Sequence, residues 1–304
     1  MRVLITGAGG QVGTDLALVL AGVVPAAGAA TALLGADPVR EAEFEVAALA
    51  RTQLDIADAQ AVTSAIAAHR PDVVVHLAAY TAVDRAEADV EGATAVNETG
   101  TRNIVAAAES IGSHVVYVST DYVFAGDLGR EMVESDATGP LSVYGATKLA
   151  GELACRPTDT IVRTSWVAGL SGRNVIHLAA ASARDGRALR FVDDQVGTLT
   201  SSADLAAGLV AMIRRRPGGV FHVAGSGSAS WHEVITHAVV EAGGSAGQVT
   251  PISTAELDPQ PAATRPAYSP LVSERLIEIE GVPLPRWQDG VARLVAAITS
   301  EGGS

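Results

Sequence analysis

A glycine-rich turn follows the first apolar run of the chain. The run Arg2–Thr6 (RVLIT) is rich in β-branched residues, as a buried parallel strand is, and residues 11 to about 21 have helical content. Gly7, Gly10 and Gly13 stand between them. In this spacing the first glycine allows a sharp turn, the second lets the backbone approach a pyrophosphate, and the third lets the helix pack closely on the strand. The turn predicts a dinucleotide site at the N-terminus of the helix, and a plain strand-to-helix turn is the alternative.

Strand-like and helix-like segments alternate over the first 165 residues. We expect further strands at residues 44–49, 72–77, 115–119 and 160–164, and helices at residues 58–69, 90–111 and 141–154. No hairpin signal such as Asn-Gly stands between them. The pattern predicts an α/β fold of the Rossmann type, with a doubly wound parallel sheet and helices on both faces.

The second half of the chain is less regular. It contains one further strand-like segment at residues 218–223 and a proline-rich, extended stretch at residues 251–270. We expect a dinucleotide-binding Rossmann domain over residues 1–165, to which a later segment near residues 190–225 returns. Residues 166–304 are expected to form mainly a smaller, substrate-binding lobe.

Composition and charge exclude several classes of protein. With 48% hydrophobic residues among 304, the chain can bury a large core and does not belong to the disordered class. Its one cysteine, Cys155, rules out an intrachain disulfide framework and a cysteine-rich metal site. The formal net charge of −13 argues against nucleic acid or an anionic membrane as a partner. The first residues show no secretory signal pattern, so a cytoplasmic protein is expected.

An uncharged stretch over residues 16–36 is long enough to cross a bilayer. It contains Pro25 and three glycines, and it starts three residues after the glycine-rich turn. Because such turns lead into buried helices, we favour a buried helix followed by an apolar loop.

Lys148 is the single lysine among 21 basic residues, and it stands four positions after Tyr144. Residues four apart share a helix face. A neighbouring ammonium stabilises a phenolate and lowers the pKa of the phenol from about 10 towards the working range. A tyrosine tuned in this way can protonate a carbonyl oxygen while hydride arrives at the carbon. A surface pair is the alternative.

The segment Ser119-Thr120-Asp121 stands at the end of the strand predicted at residues 115–119. Open α/β sheets bind their ligands at the carboxyl ends of their strands. A hydroxyl of Ser119 or Thr120 could therefore hold a substrate carbonyl beside Tyr144. Capping of a turn by Ser119 or of the loop by Asp121 is the alternative.

The type of dinucleotide depends on the residue after the second strand. NAD sites usually place an acidic residue there, on the ribose 2′-hydroxyl. The strand at residues 44–49 is followed by Arg51, which favours the 2′-phosphate of NADPH. If the second strand lies at residues 31–35 instead, Asp37 is the acid and NADH is the cofactor. We favour NADPH, and a plain surface position for Arg51 stays open.

These features together resemble the extended short-chain dehydrogenase/reductases and, within them, the dTDP-4-dehydrorhamnose reductase family. The resemblance extends from residue 1 to about residue 290. It is carried by GQVG at residues 10–13, LDI at 54–56, AAYTAVD at 78–84, STDYVF at 119–124, Tyr144-Gly145 with Thr147-Lys148-Leu149, RTSW at 163–166, Asp194-Gln195 with Gly197, and Arg265-Pro266 with Ser269.

The resemblance implies reduction of the C4 ketone of dTDP-4-dehydro-L-rhamnose by NADPH to give dTDP-L-rhamnose. It implies that Tyr144 donates the proton, that Lys148 holds the nicotinamide ribose and tunes Tyr144, and that Thr120 assists at the carbonyl. Contacts with the sugar are implied for Thr120, Asp121 and Trp166. The residues implied to line the cofactor are Gly10, Gln11, Val12, Asp55, Ile56, Ala78, Ala79 and Tyr80.

Two of these implied roles have alternatives of equal standing. Arg265 carries a charge suited to the substrate diphosphate, but a surface ion pair explains it equally well. Asp55 could approach the adenine or cap the next helix.

The chain departs from the family pattern in two places. Residues 22–42 lengthen the connection before the second strand. Some members of the family bind a divalent cation between subunits through glutamates, whereas the first such position here is Asp15 and no full ligand set is found. We therefore assign no metal site, and Mg²⁺ binding and a homodimer stay open.

Three other functions use the same scaffold. Nucleotide-sugar dehydratases place Asp-Glu after the strand-end threonine, but here Tyr122 follows Asp121, which disfavours elimination of water. A nucleotide-sugar epimerase with a tightly held cofactor stays an alternative. So does a non-catalytic, NADP-binding regulatory subunit, although the intact Tyr144 and Lys148 argue against it.

Overall fold

Twelve strands and eleven α-helices occur in the computed structural model, which describes residues 1–27, 39–40, 42–281 and 283–301. The strands of this described part are β1 (Arg2–Thr6), β2 (Glu45–Leu49), β3 (Val73–His76), β4 (His114–Thr120), β5 (Thr160–Thr164), β6 (Val167–Ala168), β7 (Leu189–Val192), β8 (Val196–Gly197), β9 (Thr200–Ser201), β10 (Gly219–His222), β11 (Ala229–Ser230) and β12 (Val249–Ile252). The helices are α1 (Gln11–Leu20), α2 (Ala59–His69), α3 (Val83–Ala88), α4 (Val90–Thr94), α5 (Gly100–Ser110), α6 (Val143–Ala154), α7 (Val175–Asp185), α8 (Ser202–Arg215), α9 (Trp231–Glu241), α10 (Glu274–Glu280) and α11 (Trp287–Glu301).

Six strands form one parallel sheet in the order β10-β5-β4-β3-β1-β2. The chain leaves β1 to one side to form β2 and then returns to the other side of β1 to form β3. The order of strands thus reverses at β1 and β3, and the crevice above their carboxyl ends is the usual ligand position in such sheets. The predicted fold class, an α/β sheet of the Rossmann type, is confirmed.

Alternate residues of the central strands face two different cores, as the pleat of a strand requires. Ile5 and Val75 face a cluster that α1 and α8 cover, with Leu16 and Leu209 among its members. Leu4, Val74 and Tyr117 face the opposite side, where α2 and α5 supply Ile66 and Ile104. A third apolar cluster lies between α7, α9 and α11 in the later part of the chain.

The predicted helix over residues 90–111 is interrupted. The structure has α4, then a π-helical turn at Ala95–Thr99, and then α5. A π-turn adds one residue to a helical circuit and is common at functional sites. Here it carries the buried Asn97, whose side chain accepts a hydrogen bond from the Tyr80 N–H at 2.8 Å and donates one to Thr147 Oγ1 at 3.0 Å.

The uncharged stretch at residues 16–36 begins inside α1, which ends at Leu20. The alternative second strand at residues 31–35 and Asp37 lie outside the described residues. β2 occupies Glu45–Leu49 and pairs with β1, as the favoured prediction has it. Over the described ranges, no helix is both long enough and apolar enough to span a membrane.

Candidate active site

A cavity of about 570 Å³ opens at the carboxyl edge of the sheet, above β1, β3 and β4. It joins the glycine-rich turn, the ends of three strands, helix α6 and the loop after β6. The predicted site residues that line it are Gly7, Gly10, Gln11, Val12, Gly13, Ala79, Thr120, Asp121, Tyr144, Lys148 and Trp166.

The glycine turn has the shape that a pyrophosphate requires. Gly7 has a φ of +71°, and a Cβ there would lie 2.6 Å from the Ala78 nitrogen. A Cβ at Gly13 would lie 2.6 Å from the Gly7 carbonyl oxygen, whereas a Cβ at Gly10 would meet nothing closer than 3.4 Å. Gly7 and Gly13 are therefore needed by the fold itself, while Gly10 leaves space on the cavity side.

The N-terminus of α1 has no protein anion of its own. Gly10 is its N-cap, no side chain caps the helix, and no acidic residue stands in its first turn. The first N–H groups and the positive end of the helix dipole thus remain for a negatively charged group in the cavity. These residues fit the pyrophosphate of a dinucleotide.

Tyr144 and Lys148 lie one turn apart on α6 and face the same cavity. Lys148 is only 2% exposed, and its Nζ donates a hydrogen bond to the Val118 carbonyl oxygen at 2.7 Å. The ring of Tyr144 contacts that of Tyr122 edge-on at a centroid distance of 5.5 Å. The i,i+4 spacing therefore brings both groups into the cavity rather than onto the surface.

Burial, rather than the neighbouring ammonium, dominates the acidity of this pair. Loss of hydration raises the pKa of Tyr144 to about 12, against the opposing effect of a hydrogen bond with Thr120. The same loss lowers the pKa of Lys148 to about 7, opposed by the Glu152 carboxylate. The expected lowering of the phenol pKa is not what this structure gives, because burial raises the pKa of Tyr144.

Thr120 and Asp121 form a buried polar group at the end of β4. Thr120 Oγ1 donates to Asp121 Oδ1 at 3.1 Å and accepts from the Tyr122 N–H at 3.2 Å. Asp121 Oδ2 accepts from Ser269 Oγ at 2.7 Å. Burial raises the pKa of Asp121 to about 6, although both hydroxyls stabilise its charged form.

Two hydroxyls in the cavity wall have no hydrogen-bond partner among the described residues: Ser119 Oγ and Thr164 Oγ1. Ser119 belongs to the strand-end motif, whereas Thr164 ends β5 and is not singled out by the sequence. A buried hydroxyl without a partner is costly. Both hydroxyls are thus buried at the end of a strand without a partner in the described part of the protein.

Other predicted cofactor residues lie outside the cavity wall. Asp55 accepts a hydrogen bond from the Ala57 N–H at 3.0 Å, and Asp58, not Asp55, caps α2. Ile56 is buried under Gly100. Ala78 packs beneath Gly7, and the Tyr80 hydroxyl donates to Asp89 at 3.0 Å.

Arg51 stands two residues after the end of β2, in an exposed turn. Among the described residues no acidic side chain forms an ion pair with it. Its neighbour Ala50 lies beside Gly9 in the glycine turn. Arg51 thus lies beside the glycine turn, where the ribose of a cofactor is expected. Its side chain is exposed to solvent.

Arg265 does not project into the cavity. It forms a two-point ion pair with Asp84, with N–O distances of 3.0 and 2.6 Å. The ion pair connects α3 to the loop that leads to Ser269. The ion pair is present, and the predicted contact of Arg265 with a diphosphate stays a prediction.

Trp166 stacks face to face on Trp231, with centroids 3.9 Å apart and planes at 8°. Both rings line the cavity. The sequence does not identify Trp231 as a site residue, because the Ser230–Glu233 capping box predicts only that a helix starts there. Trp166 has a φ of +46°, an unusual backbone conformation for a large residue.

Gln11 links the glycine turn to the later part of the chain. Its Oε1 accepts hydrogen bonds from the Gly169 N–H and from Asn174 Nδ2, both at 2.8 Å. The loop that starts at Gly169 contributes Ser171 and Gly172 to the cavity wall. A single side chain therefore joins the two halves of the site.

Asp15, the position of interest for a metal, is buried between α1 and α8 and accepts a hydrogen bond from the Ser202 hydroxyl. Burial raises the pKa of this carboxyl. In the described ranges no group of three or more His, Cys, Asp and Glu side chains could hold a metal ion.

One family model and several curated proteins match the chain. The model of the RmlD substrate binding domain family matches residues 1–300. A dTDP-4-dehydrorhamnose reductase of Sinorhizobium fredii is 39% identical over 273 residues, covering 86% of this chain and 92% of the relative. A probable dTDP-4,6-dihydroxy-2-methyloxan-3-one 4-ketoreductase of Streptomyces antibioticus is 36% identical, covering 96% and 93%.

Solved structures are similar over the whole fold. A dTDP-4-dehydrorhamnose reductase of Clostridium acetobutylicum superimposes with a TM-score of 0.86 at 32% identity, covering 98% of this chain and 100% of that chain. The enzyme of Bacillus anthracis, solved in complex with NADP, gives a TM-score of 0.83 at 31% identity, with 97% and 98% covered.

Proposed function

The chain belongs to the RmlD substrate binding domain family, that of the dTDP-4-dehydrorhamnose reductases, and we propose that it reduces the C4 ketone of dTDP-4-dehydro-L-rhamnose to dTDP-L-rhamnose with NADPH. It is an NAD(P)H-dependent oxidoreductase of the short-chain dehydrogenase/reductase type. One observation carries the proposal: a single cavity contains the glycine turn, Tyr144, Lys148 and Thr120.

The glycine turn and the first turn of α1 would hold the pyrophosphate of the dinucleotide through backbone N–H groups. Arg51 would meet the 2′-phosphate, a charge-assisted contact that NADH lacks. Bound NADPH supplies the hydride. The NADP complex of the Bacillus anthracis relative supports this choice of cofactor.

Tyr144 would donate the proton. With a pKa of about 12 the phenol stays protonated at neutral pH, so its proton is present when the ketone arrives. Hydride adds to C4, the C=O π pair moves to O4, and the Tyr144 proton passes to O4 to leave a hydroxyl. Lys148, one turn away, would stabilise the phenolate that forms and hold the nicotinamide ribose. Thr120, which lines the same cavity, would assist at the carbonyl.

The later lobe would hold the nucleotide sugar. The stacked pair Trp166–Trp231 offers a flat apolar wall, which suits the face of a sugar or a thymine ring. Thr120 and Asp121 would offer polar groups for sugar hydroxyls. Arg265 would order the loop that carries Ser269, because its Nη1 and Nη2 bind Asp84, and its predicted contact with the diphosphate stays a prediction.

The test is a spectroscopic assay of NADPH consumption with dTDP-4-dehydro-L-rhamnose and with a panel of other dTDP-4-keto sugars. The panel is needed because a relative of similar identity carries the name of a ketoreductase for another dTDP-sugar. We expect stoichiometric NADPH oxidation and a product with a C4 hydroxyl, identified by NMR. An isomeric ketone formed without net NADPH consumption indicates an epimerase. NADPH binding without turnover of any substrate indicates a regulatory subunit.

A further inference from the structure

The ammonium of Lys148 is buried without a carboxylate beside it. No acidic side chain of the described residues lies within 4.0 Å of Nζ, so the ammonium forms no ion pair with them. Its one hydrogen bond goes to the Val118 carbonyl oxygen at 2.7 Å. A buried lysine normally needs a partner, because desolvation of the charge is costly.

The face of an aromatic ring occupies the position where a carboxylate would be expected. Nζ lies 4.1 Å from the ring centroid of Tyr117, on β4. The negative face of a phenol ring attracts a cation at this distance, most strongly where water is excluded, and Tyr117 is fully buried.

Tyr117 is fixed in this place by α6 itself. Its hydroxyl donates to the carbonyl oxygen of Lys148 at 3.2 Å. The hydroxyl fits into a notch at Gly151, where a Cβ would overlap it. The ring is thus held against the turn of helix that carries the lysine, and the two cannot shift independently.

We propose that Tyr117 is a positioning residue that holds the Lys148 ammonium at the floor of the cavity by a cation–π contact. A carboxylate would accept ammonium protons in strong, charge-assisted hydrogen bonds, whereas a ring face offers no lone pair and attracts the cation mainly through its quadrupole. The donors that Val118 does not use therefore remain for a ligand. This inference rests on the proposed role of Lys148 in the cofactor site.

The other groups around Lys148 leave this role to Tyr117. Glu152 lies one turn further along α6, but both its oxygens bind Arg163 of β5, at 2.7 to 3.3 Å. His76 of β3 lies behind Tyr117, and burial lowers its pKa to about 3, so it is neutral at working pH. Burial raises the pKa of Tyr144 on α6 and of Cys155 at the C-cap of α6, so both are neutral as well.

The single lysine makes the proposal directly measurable. In protein grown with ¹³Cε-labelled lysine, one side-chain signal reports the titration of Lys148. In the unmutated protein, we expect the Cε protons to be shifted upfield by the Tyr117 ring. In Tyr117→Leu, the Lys148 pKa should fall by about one pH unit, and the Kd for NADPH, from fluorescence titration, should rise about tenfold. In Tyr117→Phe, which keeps the ring, both should stay near the unmutated values.

Phe221→Leu is the matched control. Phe221, on the edge strand β10 of the same sheet, is another fully buried ring. It contacts the guanidinium of Arg275 on α10. An unchanged Lys148 pKa in Tyr117→Leu overturns the proposal, and so does an equal fall in Phe221→Leu. If Tyr117→Leu does not fold, the ring-current shift of the unmutated protein decides, and its absence overturns the proposal. None of these measurements needs turnover, so the proposed reaction can fail while this inference stands.

Discussion

Tyr144 and Lys148 share one face of α6, and burial moves the pKa of each towards its neutral form, to about 12 for the phenol and to about 7 for the ammonium. A reductase needs a protonated donor at neutral pH, and the high phenol pKa provides one.

Tyr144→Phe removes the proposed proton donor without changing the shape of the wall. We expect kcat to fall by about 10²- to 10⁴-fold, because this is the usual contribution of a general acid. The Kd for NADPH should change less than about twofold. Tyr268→Phe is the control, since Tyr268 is not among the cavity-lining residues. Turnover at the unmutated rate in Tyr144→Phe excludes this residue as the acid.

Substitutions in the glycine turn should separate folding from binding. Gly13→Ala places a Cβ 2.6 Å from the Gly7 carbonyl, so we expect a loss of about 1–3 kcal/mol in the free energy of unfolding. Gly10→Ala meets nothing closer than 3.4 Å and should cost less than about 1 kcal/mol. It should nevertheless raise the Kd for NADPH at least about tenfold, because its methyl group faces the pyrophosphate. Urea unfolding and fluorescence titration test both statements, and normal NADPH binding by Gly10→Ala contradicts the proposed cradle.

Arg51→Ala should reduce the preference for NADPH over NADH. A charge-assisted hydrogen bond contributes about 1.5–3 kcal/mol, so the ratio of the two kcat/KM values should fall roughly tenfold to a hundredfold. Arg70→Ala removes another exposed arginine at the C-cap of α2, at the opposite edge of the sheet, and should leave the ratio unchanged. An unaltered ratio in Arg51→Ala moves 2′-phosphate recognition to another residue.

The buried Asp121 should make stability fall as pH rises. Its pKa in the folded protein is about 6, above the ordinary value of 3.8. Between these values the native state binds more protons than the unfolded state, so the free energy of unfolding decreases with pH and the loss is complete above about 6. The effect is on the order of 3 kcal/mol.

Asp121→Asn should remove this pH-dependent loss when urea unfolding is compared at pH values on either side of the window. Asp136→Asn is a control of opposite sign, because the Arg130 guanidinium lowers the pKa of Asp136 to about 2. That variant should lose stability at high pH relative to low pH. A difference between wild type and Asp121→Asn that does not vary with pH contradicts the assignment of a raised pKa to Asp121.

Removing only one partner of the ion pair between Glu152 and Arg163 should destabilise the protein strongly. Both side chains are buried, with 4% and 6% exposed. Removing one partner leaves an uncompensated charge, so Glu152→Ala should lose about 3–5 kcal/mol in the free energy of unfolding. The double variant with Glu152→Met and Arg163→Met should recover most of the loss. Arg102→Ala, which breaks the exposed pair with Glu98, should cost less than about 1 kcal/mol. Equal losses in the single and double variants contradict this account.

The sequence alone determined the order of strands and helices, the glycine turn and the Tyr144–Lys148 pair. Each of these is written in a short stretch of chain: β-branched runs, glycine spacing and an i,i+4 interval. β1 to β5 accordingly lie within two residues of their predicted positions. The π-turn at Ala95–Thr99 lies inside a segment that is predicted as one continuous helix, since its sequence pattern continues through the turn.

Only the tertiary structure decided which distant residues meet. Trp231 stacks on Trp166, Ser269 donates a hydrogen bond to Asp121, and Asp84 forms an ion pair with Arg265. The partners in these contacts are 65 to 181 residues apart in the sequence. It also decided the direction of the Tyr144 pKa. A neighbouring charge can be inferred from spacing, but desolvation depends on every element packed around the group, and no local pattern encodes that.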